Sequence, residues 1–304
     1  MIIEIINRSY ALLPAGKRNS GMMNEKLLLR NLMSELDVIK STKDGPVTVD
    51  SIKKDLLSLG VSKGMVLLVH SSLSSLGWVC GGPVGVILAF EGVLGPEGTL
   101  VMPTHSGDLT DPEKWANPPV PERWKEIIRQ TMPAFDPDFT PTRGMGRISE
   151  TFRKQAGVLR SNHPHVSFTA RGKHVEFITG SHGLHFGLGE DSPLARIYEL
   201  EGWILLLGVG HEYNTSMHLA EFRAEFPGKK EIQQGAPILQ NGVRRWVKLD
   251  ELDENSEDFE EIGKAYQKSG GKILTGQIGN ARVELIPQRD LVDFTVEWMS
   301  ENRK

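Results

Sequence analysis

Three continuous apolar runs constrain this chain most: Met65–Val69 (MVLLV), Thr99–Pro103 (TLVMP) and Trp203–Val209 (WILLLGV). None shows the polar alternation of a strand with one wet face, so each is predicted to be a strand covered on both sides. Helical patterns fall around them. Thr48 or Asp50 can cap a helix through Leu59, with Gly60 as a left-handed stop. Pro83 suits a first helical turn ahead of VGVILAFEGVL, and further helical spacing recurs near 122–131, 146–156, 172–179 and 192–200. The last third adds a strand at Arg244–Leu249 and helices near 256–268 and 288–300. Such alternation of apolar strands with helices predicts a layered α/β domain.

The simplest organisation is one domain over residues 46–304 preceded by an extension over 1–45. The extension holds a possible helix from Glu25 to Ser41 and reads as a peripheral appendage. Cys80 is the only cysteine, which excludes an intrachain disulfide and any multi-cysteine zinc site. A net charge of −4 argues against a general nucleic-acid binder. No apolar run is long enough to cross a membrane, and Glu4 interrupts the first apolar stretch, which makes a poor signal peptide. A cytoplasmic protein is expected. The oligomeric state is not legible, and a homodimer is compatible with the sequence.

Chemistry is expected in three segments. His70–Pro83 (HSSLSSLGWVCGGP) joins the first apolar strand to a helix, where open α/β sheets gather ligands. Gly81 and Gly82 admit either a ligand against the backbone or close helix packing. The helix start at Pro83 favours an anionic group. His70 alone reads more as a hydrogen-bonded structural histidine than as a cleft residue, and Cys80 more as packing than as a nucleophile. The second segment, Gly208–Glu221 (GVGHEYNTSMHLAE), leaves the third apolar strand through two glycines and enters a helix capped by Asn214 or Thr215. His218 and Glu221 stand three apart and share a helix face. That spacing suits a general base with a carboxylate beside it, a pair of metal ligands, or an ordinary surface pair. No HExxH motif accompanies it. The third segment is TPTRGMGRISETFR with RSNHPHVSF, in which Arg143 and Arg147 flank a glycine-rich helix start and could meet phosphates. Met145 reads as core or pocket lining, and His165 as part of the following strand. GLGEDSPL reads as a helix cap at Asp191 or Ser192, and DELDENSEDFEE as a solvated loop and helix face.

Taken in order, VHSSLSSLG with GGP, LGPEGTLVMPT, PAFDP with TPTRGMGRISETFR, RSNHPHVSF, GLGEDSPL, LLLGVG and NTSMHLAE resemble the aminoglycoside 3-N-acetyltransferase family, most of all its Bacillus-type branch. The resemblance covers roughly residues 48–295. It implies a three-layer α/β/α domain with a mixed sheet, distinct from the GNAT acetyltransferase fold. RGMGRI at 143–148 approaches the GNAT signature R/Q-x-x-G-x-G/A but departs from it at Ile148.

The resemblance further implies an acetyl-CoA-dependent acyltransferase that needs no metal and acetylates a small-molecule amine, the 3-amino group of an aminoglycoside in the first instance. Ser71, Ser72, Leu73, Ser74, Ser75, Gly81, Gly82, Thr104, Arg143, Met145 and Arg147 would hold the CoA moiety. His218, Glu221 and His70 would face the reacting centre, and His163 would line the cleft. His105, His165 and His211 stand outside this assignment. Another amine acceptor, a non-catalytic CoA-binding protein and a metal-dependent hydrolase built on His218 and Glu221 are the rival readings.

Overall fold

The computed structural model describes residues 35–42, 45–116 and 118–304. Most of the expected Glu25–Ser41 helix lies outside that range, although residues 35–41 are helical. Helix α1 (Val49–Leu59) starts on a reciprocal cap. The Thr48 side chain accepts from the Ser51 N–H at 3.1 Å, and the Ser51 hydroxyl accepts from the Thr48 N–H at 2.9 Å. This pair meets two otherwise unpaired first-turn donors. Gly60, at φ 112°, ends the helix as predicted.

The apolar runs are central strands. β1 (Val66–Ser71) pairs in parallel with both β2 (Thr99–Pro103) and β5 (Trp203–Leu207). Helix α2 (Gly82–Leu94) forms the crossover from β1 to β2. Outward from β2, β4 (Phe168–Gly172) and the short β3 (Leu159–Arg160) add antiparallel; outward from β5, β9 (Ala281–Pro287) and β8 (Leu274–Ile278) do the same. The result is one mixed seven-stranded sheet in the order β3-β4-β2-β1-β5-β9-β8.

Alternate side chains of the central strands divide the core in two. Leu67, Val69, Leu205 and Leu207 pack with α1, α2 and α4 (Gly146–Phe152). Val66, Leu68, Ile204 and Leu206 pack with α6 (Pro193–Glu199), α7 (Ser216–Arg223), α8 (Phe259–Lys268) and α9 (Gln288–Asn302). Both faces of the sheet are therefore dry, which explains why its strands read as unbroken apolar runs. Three layers, α/β/α, follow directly. Two short helices complete the chain, α3 (Glu122–Thr131) and α5 (Val175–Thr179), as the spacing predicted.

The spacing gave only half of one further element. β6 (Glu231–Gln240) and β7 (Val243–Leu252) form a separate ten-pair antiparallel hairpin. Its turn residues Asn241 and Gly242 both have positive φ (52° and 74°), the geometry that selects an Asn-Gly pair. That dipeptide was the signal for the missing strand. The hairpin carries Glu251 and the following loop toward α7.

Candidate active site

β1 has a parallel neighbour on each side, one reached through α2 and the other much later in the chain. Its carboxyl end is therefore the point where the sheet opens. The Ser72 N–H donates to Leu207 O at 2.9 Å, and the Ser75 hydroxyl donates to Gly208 O at 3.1 Å. These bonds tie the turn after β1 to the turn after β5. Between them lies a cleft of about 1570 Å³, bordered by residues 71–75, Gly81, Gly82, Met145, Arg147, the turn from Gly208 to Tyr213, and Thr215.

Gly81 and Gly82 have φ of 78° and 55°. A Cβ on Gly82 would meet nothing within 4 Å, and one on Gly81 only ordinary contacts near 3.7 Å. Their purpose is therefore a left-handed backbone that side chains resist, leaving the α2 amino terminus bare to the cleft. Close helix packing falls instead to Gly85, where a Cβ would lie 2.5 Å from Cys80 O. The free amides of α2 and the guanidinium of Arg147 supply positive potential to this wall. Such a wall favours an anionic group.

The predicted residues are placed as follows. Ser71 to Ser75, Gly81, Gly82, Met145 and Arg147 all border the cleft. Thr104 does not; it is buried and its hydroxyl donates to Ser167 O at 3.1 Å. Arg143 points outward and pairs with Asp108. Cys80 is exposed and lies outside the cleft wall.

His70 occupies the end of β1, 5% exposed, and burial pushes its pKa down to about 3. It is a neutral imidazole, with Nε2 3.4 Å from the Thr215 hydroxyl on the far side of the cleft. One turn further along α7 stands His218. Its Nδ1 is 2.5 Å from Oε2 of Glu221, a carboxylate only 1% exposed. The other Glu221 oxygen accepts from Arg303 Nη1 at 2.6 Å and from the Asn255 N–H at 3.0 Å. The two residues thus face each other, and both oxygens of Glu221 are already committed. Among the described residues, no group of three His, Cys, Asp or Glu side chains is arranged around a common point.

Burial is the strongest single influence on the His218 pKa and lowers it. The Glu221 hydrogen bond and the charges of Glu254 and Glu221 outweigh it, so His218 titrates above the ordinary 6.5. With Nδ1 bonded to the carboxylate, Nε2 is the nitrogen available for proton transfer.

His163 sits elsewhere. It is fully buried, with Nδ1 accepting the N–H groups of His165 (3.2 Å) and Val166 (3.1 Å) and its ring stacked on His182 at 4.7 Å. Its Nε2 lies 3.6 Å from Glu251, whose carboxyl burial pushes up to about 8. Sequence reasoning passed over three residues that the fold brings to this region. His105 is close enough to His70 and His218 for their charges to depress its pKa, after burial, to about 3. Glu254, from the acidic run read as a solvated loop, and Arg303, from the segment after α9, act on the dyad.

The segment before α1 also reaches the cleft. Glu35 and Val38 border it; Asn280 Nδ2 donates to Ser41 O at 2.9 Å, and the Trp78 N–H donates to the Thr42 hydroxyl at 2.8 Å. The end of the extension thus forms part of the cleft rim. Asn280→Ala is expected to raise KM for acetyl-CoA a few-fold with kcat unchanged, since a single tethering hydrogen bond of about 1 kcal/mol is lost far from the dyad. Steady-state kinetics with acetyl-CoA as the varied substrate tests this; a fall in kcat alone would refute it.

A parallel-centred α/β/α sheet thus carries a histidine–carboxylate pair near the cleft at the carboxyl end of its central strand. The chain belongs to the aminoglycoside 3-N-acetyltransferase family, whose sequence model matches residues 68–300. It is 48% identical over 258 residues to the SPbeta prophage-derived aminoglycoside N(3')-acetyltransferase-like protein YokD of Bacillus subtilis (strain 168), covering 84% of this chain and 94% of that protein. The crystal structure of YokD superposes with a TM-score of 0.84 over 87% of this chain and 97% of that one. AAC-IIIb, solved as a binary complex with CoASH, is 30% identical with a TM-score of 0.76, covering 85% and 98%. AAC-VIa bound to sisomicin is 29% identical with a TM-score of 0.77, covering 85% and 99%.

Proposed function

We propose that residues 46–304 form a catalytic domain that transfers the acetyl group of acetyl-CoA to the 3-amino group of an aminoglycoside in the cytoplasm. The observation that carries this reading is the His218–Glu221 hydrogen bond, with His218 half-buried and Glu221 buried, on the helix that follows the Thr215 wall of the cleft. The CoASH complex of AAC-IIIb and the sisomicin complex of AAC-VIa support both halves of the reaction.

Acetyl-CoA supplies an activated acyl group as a thioester. Glu221 holds Nδ1–H of His218 and so presents Nε2 as the base. His218 Nε2 takes a proton from the amine as its nitrogen bonds to the acyl carbon, and gives a proton back to the departing sulfur. His70, kept neutral by burial, offers a ring N–H to the oxygen that gains charge, beside the amides at the start of α2. Because His218 must be unprotonated to act, kcat/KM should fall below a pH that lies above 6.5.

Thiol release from acetyl-CoA, measured against aminoglycosides and unrelated amines, tests the assignment. Release is expected with aminoglycosides that carry a free 3-amino group and is expected to disappear when that group is blocked. Turnover with other amines alone would move the chain to a different acceptor, and no turnover with any amine would reject acyl transfer.

A further inference from the structure

We infer that Arg303, the residue that directly follows helix α9, is a positioning residue for the His218–Glu221 dyad. The inference rests on His218 acting as the base. Chain ends are usually loosely held, yet the Arg303 side chain is only 12% exposed. Its side chain makes four hydrogen bonds. Nε and Nη2 grip both oxygens of Asp258 at 2.7 Å, Nη2 donates to Asn255 O at 2.8 Å, and Nη1 donates to Glu221 at 2.6 Å. The Phe226 ring lies 5.0 Å from the guanidinium carbon.

A planar, bidentate guanidinium fixes the carboxylates it binds in rotation as well as in distance. Glu221 is thereby left with one oxygen, Oε2, directed at His218.

The charge of Arg303 has a second effect. His218 is faced by Glu221 on its own helix, by Glu254 from the loop after β7, by Arg303 from the chain end, and by the neutral imidazoles of His70 and His105. Of these, only Arg303 carries a positive charge, and it opposes formation of the imidazolium. Its charge holds the His218 pKa below the position that Glu221 and Glu254 alone would set.

Arg303→Gln, Arg303→Lys and His218→Ala, assayed by thiol release from pH 5.5 to 9.5, test the inference. The Gln variant is expected to move the acid limb of kcat/KM upward by roughly one unit, because a nearby positive charge is gone. Its kcat should fall about 10-fold at pH 6.5 and recover in part at pH 9. Lysine keeps the charge but not the fork, so its limb should stay at the wild-type position while kcat falls. KM for acetyl-CoA should not change in either. An unmoved limb in the Gln variant, or a Lys variant with wild-type kcat, overturns the inference; where the Gln protein does not fold, the Lys result decides it. Activity retained in His218→Ala would instead reject the underlying base assignment.

Discussion

His218→Ala is expected to abolish acetyl transfer while leaving CoA binding intact. General-base catalysis contributes ~10²–10⁴-fold. His70 and His105 are neutral bases whose pKa values near 3 make them weak proton acceptors. His218 itself is not part of the cleft lining, which is formed by the serine turn, Gly81, Gly82 and Arg147 among others. A calorimetric titration with CoA should therefore give the wild-type Kd, alongside a kcat reduced by at least ~10²-fold. Turnover within a few-fold of wild type would remove His218 from the mechanism.

Glu221→Gln carries the second-largest expected effect, because the substitution creates a conflict that no rotamer resolves. An amide has one acceptor oxygen and one NH₂ donor. If the oxygen faces His218, the NH₂ meets Arg303 and the Asn255 N–H, both donors. If the oxygen faces Arg303, the NH₂ meets His218 and displaces the Nδ1 proton that orients the ring. The loss in kcat should be ~10²-fold or more, as for removal of a base from its working tautomer. Stability should fall as well. Breaking a buried ion pair by removing one partner's charge costs about 3–5 kcal/mol, since the remaining charge is left uncompensated; Arg303 keeps Asp258, so the lower end applies here. Urea unfolding at pH 7.5 beside the kinetics would measure both effects. A Gln variant with wild-type kcat would show that Glu221 is a structural anchor for Arg303 and nothing more.

Much of the cleft was legible in local sequence because its parts are local devices. The serine turn follows a strand directly, the two glycines precede a proline helix start, and Met145–Arg147 open a short helix. Each can be placed from neighbouring residues alone. Thr104 is assigned to the CoA site through the family resemblance alone, and Arg143 also through its glycine-rich context. The fold turns Thr104 inward to Ser167 and Arg143 outward to Asp108. His163 shows the same limit: an isolated histidine carries no mark of what it faces, and here its Nδ1 closes a turn against the following amides.

The opening apolar runs marked which strands are central, since burial on both faces leaves no room for polar alternation. Helical spacing likewise placed His218 and Glu221 on one face, because a separation of three is fixed by helix geometry. Everything that turns that pair into a chemical group came from far along the chain. Arg303 is 82 residues from Glu221, and Asn255 is 34. Antiparallel addition of β9 and β8 to β5 and the course of α9 bring the chain's end back to α7. Only tertiary packing could saturate one oxygen of Glu221 and leave the other for His218. A period of 3.6 residues is written in sequence; a contact between distant segments depends on how the layers stack.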